Sequence, residues 1–199
     1  MLTPVTTSPR PIEPWFVGQS VIDNGARVGF IYAPGRTRKG SPSPEWRRDL
    51  EADLRALRTE HGVDVLVSLM EPAEMAAMGL SLISERAAAH GIDWIGFSIP
   101  DMGVPEDRAA YRRLLHRLRD LLAEGRVVVL HCLGGLGRSG TVTACLLVEL
   151  GMTPEEAIAE VRSSRPGAIQ TIAQEKLVRG AKRSSARPSG RSTPPLPVP

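Results

Sequence analysis

A cysteine followed six positions later by an arginine lies in the stretch His131-Cys132-Leu133-Gly134-Gly135-Leu136-Gly137-Arg138-Ser139. An apolar run at 127–130 precedes this stretch and a segment with helical periodicity follows it, which predicts a strand, a loop and a helix. Glycines let the loop backbone curl so that successive amides point inward, and the helix N-terminus adds positive potential. The guanidinium of Arg138 is suited to hold two phosphate oxygens at once. The pattern predicts a phosphate site formed by five loop residues and the arginine: Leu133, Gly134, Gly135, Leu136, Gly137 and Arg138.

The same positive field favours a thiolate at Cys132. Cysteines at helix N-termini beside cations have pKa values lowered to roughly 3.5–7.5, so we expect Cys132 to be ionised at neutral pH. It would then attack phosphorus and form a phosphocysteine intermediate. The alternative is a buried structural thiol beside a glycine-rich turn. The other cysteine, Cys145, falls on the apolar face of the next predicted helix and is expected to be a core thiol.

This run resembles the signature of the cysteine-dependent protein tyrosine and dual-specificity phosphatases, His-Cys-x5-Arg-Ser/Thr. The resemblance implies that Ser139 donates a hydrogen bond to the sulfur of Cys132 and helps it leave in the second step. It also implies that His131 orients the loop and does not act as a general base.

In that family an aspartate on a separate upstream loop protonates the leaving oxygen. The segment Ile99-Pro100-Asp101-Met102-Gly103 resembles this acid loop, so Asp101 is the candidate general acid. Glu106 and Asp107 are weaker candidates, better suited to the first turn of a helix. An ordinary turn aspartate is the other interpretation of Asp101.

The segment Gly167-Ala168-Ile169-Gln170-Thr171-Ile172-Ala173-Gln174 resembles the glutamine-bearing segment that positions water for phosphocysteine hydrolysis in tyrosine-specific phosphatases. Gln170 and Gln174 are four residues apart in a predicted helix at 169–178, so both are expected on one helical face. The alternative is two solvent-facing amides, and the sequence does not decide which glutamine is nearer to the site.

The resemblance extends over residues 25–178 and is greatest to the cyclin-dependent-kinase-associated phosphatase group. Besides the loops above, it rests on Phe30-Ile31-Tyr32-Ala33-Pro34-Gly35-Arg36 near the start. It implies an α/β fold like that of the phosphotyrosine protein phosphatases, with a central, mainly parallel β-sheet flanked by helices. It does not imply the same substrate.

Alternating patterns along the chain independently predict an α/β fold. Short apolar runs indicate strands at 27–32, 63–69, 92–97 and 127–130, and those at 63–69 and 127–130 are expected to be buried, as parallel strands are. Apolar residues at spacings of three and four indicate helices at 45–60, 81–90, 108–124, 139–150, 154–165 and 169–178. Strands that alternate with helices are typical of parallel sheets with right-handed crossovers.

Three regions are predicted from composition: an irregular arm at 1–24, a catalytic domain at 25–178 and a disordered tail at 179–199 rich in Pro, Ser and Arg. The tail holds five basic residues and no acidic one, and removing these five charges from the net +3 leaves −2 for the rest of the chain. The basic balance therefore belongs to the tail and not to a nucleic-acid-binding face.

These observations together predict a phosphoprotein phosphatase that hydrolyses phosphotyrosine, with phosphoserine and phosphothreonine as further candidate substrates. The neutral loop residues favour one phosphate per substrate. No cofactor, metal or membrane is expected, nucleic acid is not an expected partner, and a cytoplasmic location is predicted because no long apolar run occurs. Two alternatives remain open: a phosphate-binding adaptor without activity, and an RNA 5′-triphosphatase of the same superfamily.

Overall fold

The computed structural model describes residues 11–37 and 47–183. Within them the chain forms one five-stranded sheet and seven helices. The strands are β1 (Trp15–Val17), β2 (Arg27–Tyr32), β3 (Val65–Ser68), β4 (Asp93–Gly96) and β5 (Val127–Cys132). Their order across the sheet is β1-β2-β5-β3-β4. Only β1 pairs antiparallel, so the predicted α/β fold with a mainly parallel sheet is confirmed.

Helices cover both faces of this sheet. They are α1 (Leu50–Thr59), α2 (Pro72–Ala77), α3 (Ile83–Ala89), α4 (Arg108–Ala123), α5 (Arg138–Leu150), α6 (Pro154–Ser164) and α7 (Ile172–Arg179). Buried side chains of α4, α5, α6 and α7 join one apolar cluster, and those of α1 and α3 join another on the opposite face. None of these helices combines the length and the apolar character that crossing a membrane requires.

The central strand β5 explains why its sequence is a continuous apolar run. Val128 and Leu130 pack with α4 to α7, whereas Val129 packs with α1 and α3. Successive side chains of a strand point to opposite faces, so a strand covered on both sides needs apolar residues at every position. β5 runs between β2 and β3, and its last residue, Cys132, pairs with Tyr32 at the carboxyl edge.

The structure corrects the prediction of an irregular arm over 1–24, because Trp15–Val17 forms β1. Three residues are too few to show strand periodicity, and this strand depends on its partner β2. The Trp15 ring lies 5.7 Å from that of Phe30, and the Arg165 guanidinium lies 4.4 Å from the centre of the Trp15 ring. Residues 1–10 of the predicted arm lie outside the described residues.

The last helix also begins later than predicted, at Ile172 and not at residue 169. Ile169 has a φ of 58°, which no α-helix accommodates, and the Thr171 side chain accepts a hydrogen bond from the backbone N–H of Gln174. Thr-x-x-Gln is a capping-box pattern, so the start could have been found in the sequence. The predicted disordered tail lies outside the described residues from 184 onward, and α7 extends to Arg179.

Candidate active site

Cys132 and Arg138 lie at the two ends of a short loop, residues 133–137, which we call the phosphate loop. Cys132 ends β5 and Arg138 begins α5, and their exposed fractions are 3% and 2%. The Ser139 Oγ lies 3.4 Å from the Cys132 Sγ, and Ser139 is fully buried. The structure thus brings together the cysteine, serine and arginine that the sequence selected, at the carboxyl edge of the sheet where open α/β folds bind ligands.

Two glycines allow this loop to fit its surroundings. Gly135 has a φ of 67°, and a Cβ there would lie 2.4 Å from the backbone N of Tyr32. A Cβ on Gly137 would lie 2.7 Å from the Gln170 Oε1 and 3.0 Å from the Gln174 Nε2. A larger residue at position 137 would therefore have to move the amide ends of these two glutamine side chains.

The guanidinium of Arg138 is held by a carboxylate that the sequence analysis missed. Glu74 accepts two hydrogen bonds from it, 2.6 Å from Nη1 and 2.7 Å from Nη2. Nη1 also donates to the Ile99 carbonyl at 3.2 Å, and the Asp101 Oδ1 lies 3.0 Å from Nη2. The Arg138 Nε is buried and makes no hydrogen bond to any residue in the described ranges, so this N–H remains available to an anion.

Glu74 belongs to α2, which the sequence analysis also missed. A helix of six residues with no buried side chain has no apolar periodicity to detect. The usable signal was Glu71-Pro72 directly after the apolar segment that ends at Met70, since proline is favoured in the first turn of a helix. A carboxylate that follows β3 lies next to the end of β5, because β3 and β5 are neighbours in the sheet.

The charges around Arg138 keep it protonated. Burial alone would lower its pKa, but its hydrogen bonds to Glu74 and the charges of the nearby Cys132, Glu74 and Asp101 raise the pKa above its ordinary value. Arg138, at the end of the phosphate loop, is therefore a permanently charged and buried cation. Its two hydrogen bonds to Glu74 fix the orientation of the guanidinium.

Asp101 lies in the acid loop, which we define as residues 99–105. Its side chain is 66% exposed, in contrast to the buried arginine that it contacts. The Gly103 N–H donates to the Pro100 carbonyl at 2.9 Å, and Met102 has a φ of 57° and is 49% exposed. A tight turn thus directs the Asp101 carboxyl towards the mouth of the site.

Asp107, a weaker candidate for the general acid, has a different role in the structure. It caps α4 by accepting hydrogen bonds from the backbone N–H groups of Ala109 and Ala110, at 2.8 and 2.9 Å. These bonds, the one from Ala110 first, lower the pKa of Asp107, which suits a cap and not an acid that must carry a proton. Glu106 is exposed and has no contact with Arg138.

The two glutamines occupy different positions and do not share a helical face, because Gln170 precedes α7. Gln174 is fully buried: its Nε2 donates to the Gly103 carbonyl at 3.0 Å, and its Oε1 accepts from the Gln170 N–H at 2.9 Å. Gln170 is exposed, and its amide side chain makes no hydrogen bond to residues 11–37 or 47–183. Gln174 therefore links the acid loop to the glutamine segment, while Gln170 keeps its amide free at the phosphate loop.

His131 and Cys145 are both neutral at physiological pH. Burial, with a smaller contribution from the charge of Arg138, lowers the pKa of His131 to about 4, although the Cys132 backbone acts in the opposite direction. Burial raises the pKa of Cys145 to about 12, and this thiol lies in the apolar cluster as expected. In the described part of the chain, no group of three or more His, Cys, Asp or Glu side chains is placed to hold a metal ion.

Comparisons with known proteins agree with this geometry. A family model described as "Polymorphic toxin system, DSP-PTPase phosphatase" matches residues 40–152. Cyclin-dependent kinase inhibitor 3 of Sus scrofa is 32% identical over 174 residues, which are 86% of this chain and 79% of that protein. Protein tyrosine phosphatase domain-containing protein 1 of Bos taurus is 35% identical over 131 residues, 60% of this chain but 16% of that longer protein.

The fold is also similar to that of a solved structure. Kinase associated phosphatase, crystallised with its catalytic-site cysteine replaced by serine, superposes with a TM-score of 0.76 at 29% sequence identity. The match covers 85% of this chain and 93% of that one.

Proposed function

The chain belongs to the DSP-PTPase phosphatase family, and within it we propose that this protein is an active, cysteine-dependent phosphoprotein phosphatase. The observation that carries the proposal is the grouping of Cys132, Arg138 and Asp101 at one mouth, with Asp101 3.0 Å from the Arg138 guanidinium. A site that only bound phosphate would need the arginine but neither the nucleophile nor the acid.

The first chemical step is transfer of the phosphoryl group to sulfur. The Cys132 Sγ attacks phosphorus, an S–P bond forms, and the bond from phosphorus to the ester oxygen breaks. The Arg138 Nε and the inward-facing loop amides hold the equatorial oxygens as their charge develops. Asp101 gives its proton to the departing oxygen, so the leaving group is an alcohol or a phenol.

The contact between Asp101 and Arg138 prepares this step. A phosphate that binds to Nε and Nη2 replaces the ion pair that Asp101 now makes with Nη2. The exposed Asp101 carboxyl is then released towards the ester oxygen at the mouth. Glu74 keeps the guanidinium in place during this exchange because it contacts both terminal nitrogens.

The second step is hydrolysis of the phosphocysteine. A water held by the free amide of Gln170 gives a proton to the Asp101 carboxylate and attacks phosphorus, the S–P bond breaks, and inorganic phosphate leaves. Asp101 thereby regains the proton that it lost in the first step. Ser139, 3.4 Å from the sulfur, donates a hydrogen bond that stabilises the departing thiolate. We assign to His131 only the orientation of the loop, since the ring is neutral and fully buried.

We propose phosphorylated proteins as substrates, phosphotyrosine first and phosphoserine or phosphothreonine also. All five residues of the phosphate loop are uncharged, which suits a single phosphate. The relative named cyclin-dependent kinase inhibitor 3 and the solved kinase associated phosphatase are both named for protein kinases, in line with a protein substrate here.

The test is steady-state hydrolysis of aryl phosphates in the presence of a chelator, with wild type, Cys132→Ser and Asp101→Asn. We expect Cys132→Ser to lower kcat by at least about 10³-fold, or about 4 kcal/mol of barrier. Asp101→Asn should lower kcat by about 10²-fold for phenyl phosphate but by far less for dinitrophenyl phosphate, whose leaving group needs no proton.

Two other outcomes would each favour one of the alternative functions. Phosphate analogues that bind to an inert wild-type protein would replace this proposal with the adaptor. Release of phosphate from a 5′-triphosphorylated RNA, with phosphopeptides left intact, would replace it with the RNA 5′-triphosphatase. Cys145→Ala is the matched cysteine control and should retain full activity, because that thiol is buried away from the site.

A further inference from the structure

A groove separate from the phosphate loop runs between α4 and α7. Two adjoining hollows of about 330 and 410 Å³ form it, and both are lined by Arg108, Leu177 and Gly180. We name this surface the α4–α7 groove. On α4 its wall continues with Tyr111, Arg112 and Leu115, which follow Arg108 at the spacing of one helical face.

The α7 side of the groove is built in the same way. Ala173, Lys176, Leu177 and Gly180 recur at spacings of three and four, and Lys182 follows beyond the helix. Cys145 and Glu149 of α5 line the same hollow. Two helical walls with a third helix behind them make a channel suited to a peptide segment.

Four cations line this groove: Arg108, Arg112, Lys176 and Lys182. All four are exposed, and none forms a salt bridge or a hydrogen bond with a side chain of the described residues. Arg179 of α7 does not line the groove, and it forms salt bridges with Glu155 and Glu175. Among residues 11–37 and 47–183, Glu149 is the one carboxylate that lines the groove, so the field of these residues is positive there.

The interior contains a polar group without a nitrogen or oxygen partner. Tyr111 is 4% exposed, and its hydroxyl lies against the Cys145 thiol with no hydrogen bond to nitrogen or oxygen among residues 11–37 and 47–183. The wall beside it consists of Leu115 and Leu177. The groove thus offers an apolar surface, one buried hydroxyl and a cationic rim.

We propose that the α4–α7 groove binds an acidic segment of the phosphorylated protein substrate, with a large apolar side chain of that segment against Leu115 and Leu177. This rests on the proposed function. Charge complementarity selects this occupant over the chain's own end, because residues 184–199 contain Arg187 and Arg191 and no acidic residue. A basic segment would be repelled by the four cations.

The groove reaches the catalytic machinery at Val104, which lines it and lies three residues after Asp101. Three residues span at most about 10 Å, and the turn at Gly103 makes the distance shorter. A substrate whose phosphorylated residue enters the phosphate loop therefore presents residues about three or four positions away to the start of the groove. Acidic and apolar residues at that distance define the proposed substrate class.

The test compares kcat/KM for phosphotyrosine peptides that carry Glu-Leu-Asp-Leu-Glu four residues before or after the phosphotyrosine. Matched peptides carry Lys-Ser-Lys-Ser-Lys at the same places. We expect one of the two acidic peptides to be preferred about tenfold at low salt, with the preference reduced in 0.5 M NaCl. Equal kcat/KM values for acidic and basic peptides on both sides would overturn the proposal.

Arg112→Glu provides the specific variant and Arg113→Glu its control. Both residues are exposed arginines on α4, but Arg113 does not line the groove. Arg112→Glu should remove the acidic preference and leave turnover of aryl phosphate unchanged, whereas Arg113→Glu should retain the preference. The same loss in both variants would mean a general charge effect and would contradict a defined groove.

A binding measurement separates this proposal from the catalytic one. Fluorescence anisotropy with the unphosphorylated acidic peptide reports on the groove alone. Binding that Arg112→Glu weakens at least fivefold supports the groove even if aryl phosphates are not hydrolysed. Hydrolysis of aryl phosphates without any binding of this peptide leaves the proposed function intact and rejects the groove.

Discussion

The phosphate loop and the acid loop contact the same guanidinium but are supported in different ways. The phosphate loop is fixed at both ends by β5 and α5, and Cys132, Arg138 and Ser139 are all buried. The acid loop presents a side chain that is 66% exposed. It is tied to this site by the contacts of Asp101 and the Ile99 carbonyl with Arg138, and by the hydrogen bond from Gln174 to Gly103. The comparison suggests a rigid site for the anion and a loop free to shift as the proton is delivered.

The largest expected effect concerns Arg138, at the end of the buried phosphate loop. Arg138→Lys keeps the positive charge but loses the planar fork and the Nε–H. We expect kcat/KM for aryl phosphate to fall about 10²–10³-fold. The measurement is steady-state kinetics with Arg113→Lys as the control, and a loss below threefold would show that charge alone is sufficient.

The second prediction concerns the burial of His131 behind the phosphate loop. Its pKa is lowered from 6.5 to about 4, so the unfolded chain takes up a proton below pH 6.5 that the folded protein does not. The free energy of unfolding should therefore fall as the pH decreases from 6.5 to 4, by up to about 3 kcal/mol from this group. Above pH 6.5 His131 is neutral in both the folded and the unfolded protein, so its contribution to the free energy of unfolding no longer changes with pH.

Urea unfolding of wild type and His131→Asn between pH 4 and 8 measures this contribution. The difference in unfolding free energy between the two proteins should change by up to about 3 kcal/mol across that range. Parallel curves for His131→Asn and wild type would contradict a neutral, buried His131.

The third prediction concerns the support of Arg138 by Glu74. Glu74→Gln removes the charge and one of the two hydrogen bonds, so the guanidinium is less firmly placed. We expect about a tenfold loss in kcat/KM and a decrease of about 1–2 kcal/mol in the free energy of unfolding. Glu71→Gln, at the exposed N-cap of α2, should change neither quantity.

The smallest effects separate the two glutamines. Gln174→Ala removes the bond to Gly103, so it should lower kcat a few-fold for phenyl phosphate and little for dinitrophenyl phosphate, as loss of the acid does. Gln170→Ala should slow only the hydrolysis of the intermediate, which gives a burst of phenol in stopped-flow traces. The same signature in both variants would contradict their separate roles.

The sequence predicted the parts of the site that are local in the chain. Strand, loop and helix are contiguous around Cys132, so the order of residue types was enough to predict a phosphate-binding turn. Glu74 was missed because its partner Arg138 is 64 residues away and nothing in the short helix α2 indicates that contact. Only the order of strands, with β3 beside β5, brings the two together.

The same distinction applies to the fold. The strands β2, β3, β4 and β5 were found from their apolar runs, whereas β1 depends on pairing with β2 and was not. The different positions of the two glutamines follow from the φ of Ile169 and the cap at Thr171, and the helical periodicity used for the prediction contains neither. Local patterns were sufficient for elements, but contacts between segments needed the structure.

The central claim is that Cys132 carries the phosphoryl group during turnover. The direct measurement is to stop the reaction of a radiolabelled aryl phosphate with denaturant within milliseconds and to map the labelled peptide by mass spectrometry. We expect one phosphoryl group on Cys132, in wild type and in Cys145→Ala, and none in Cys132→Ser. Turnover that proceeds with the label on another residue, or with no labelled protein at all, would contradict it.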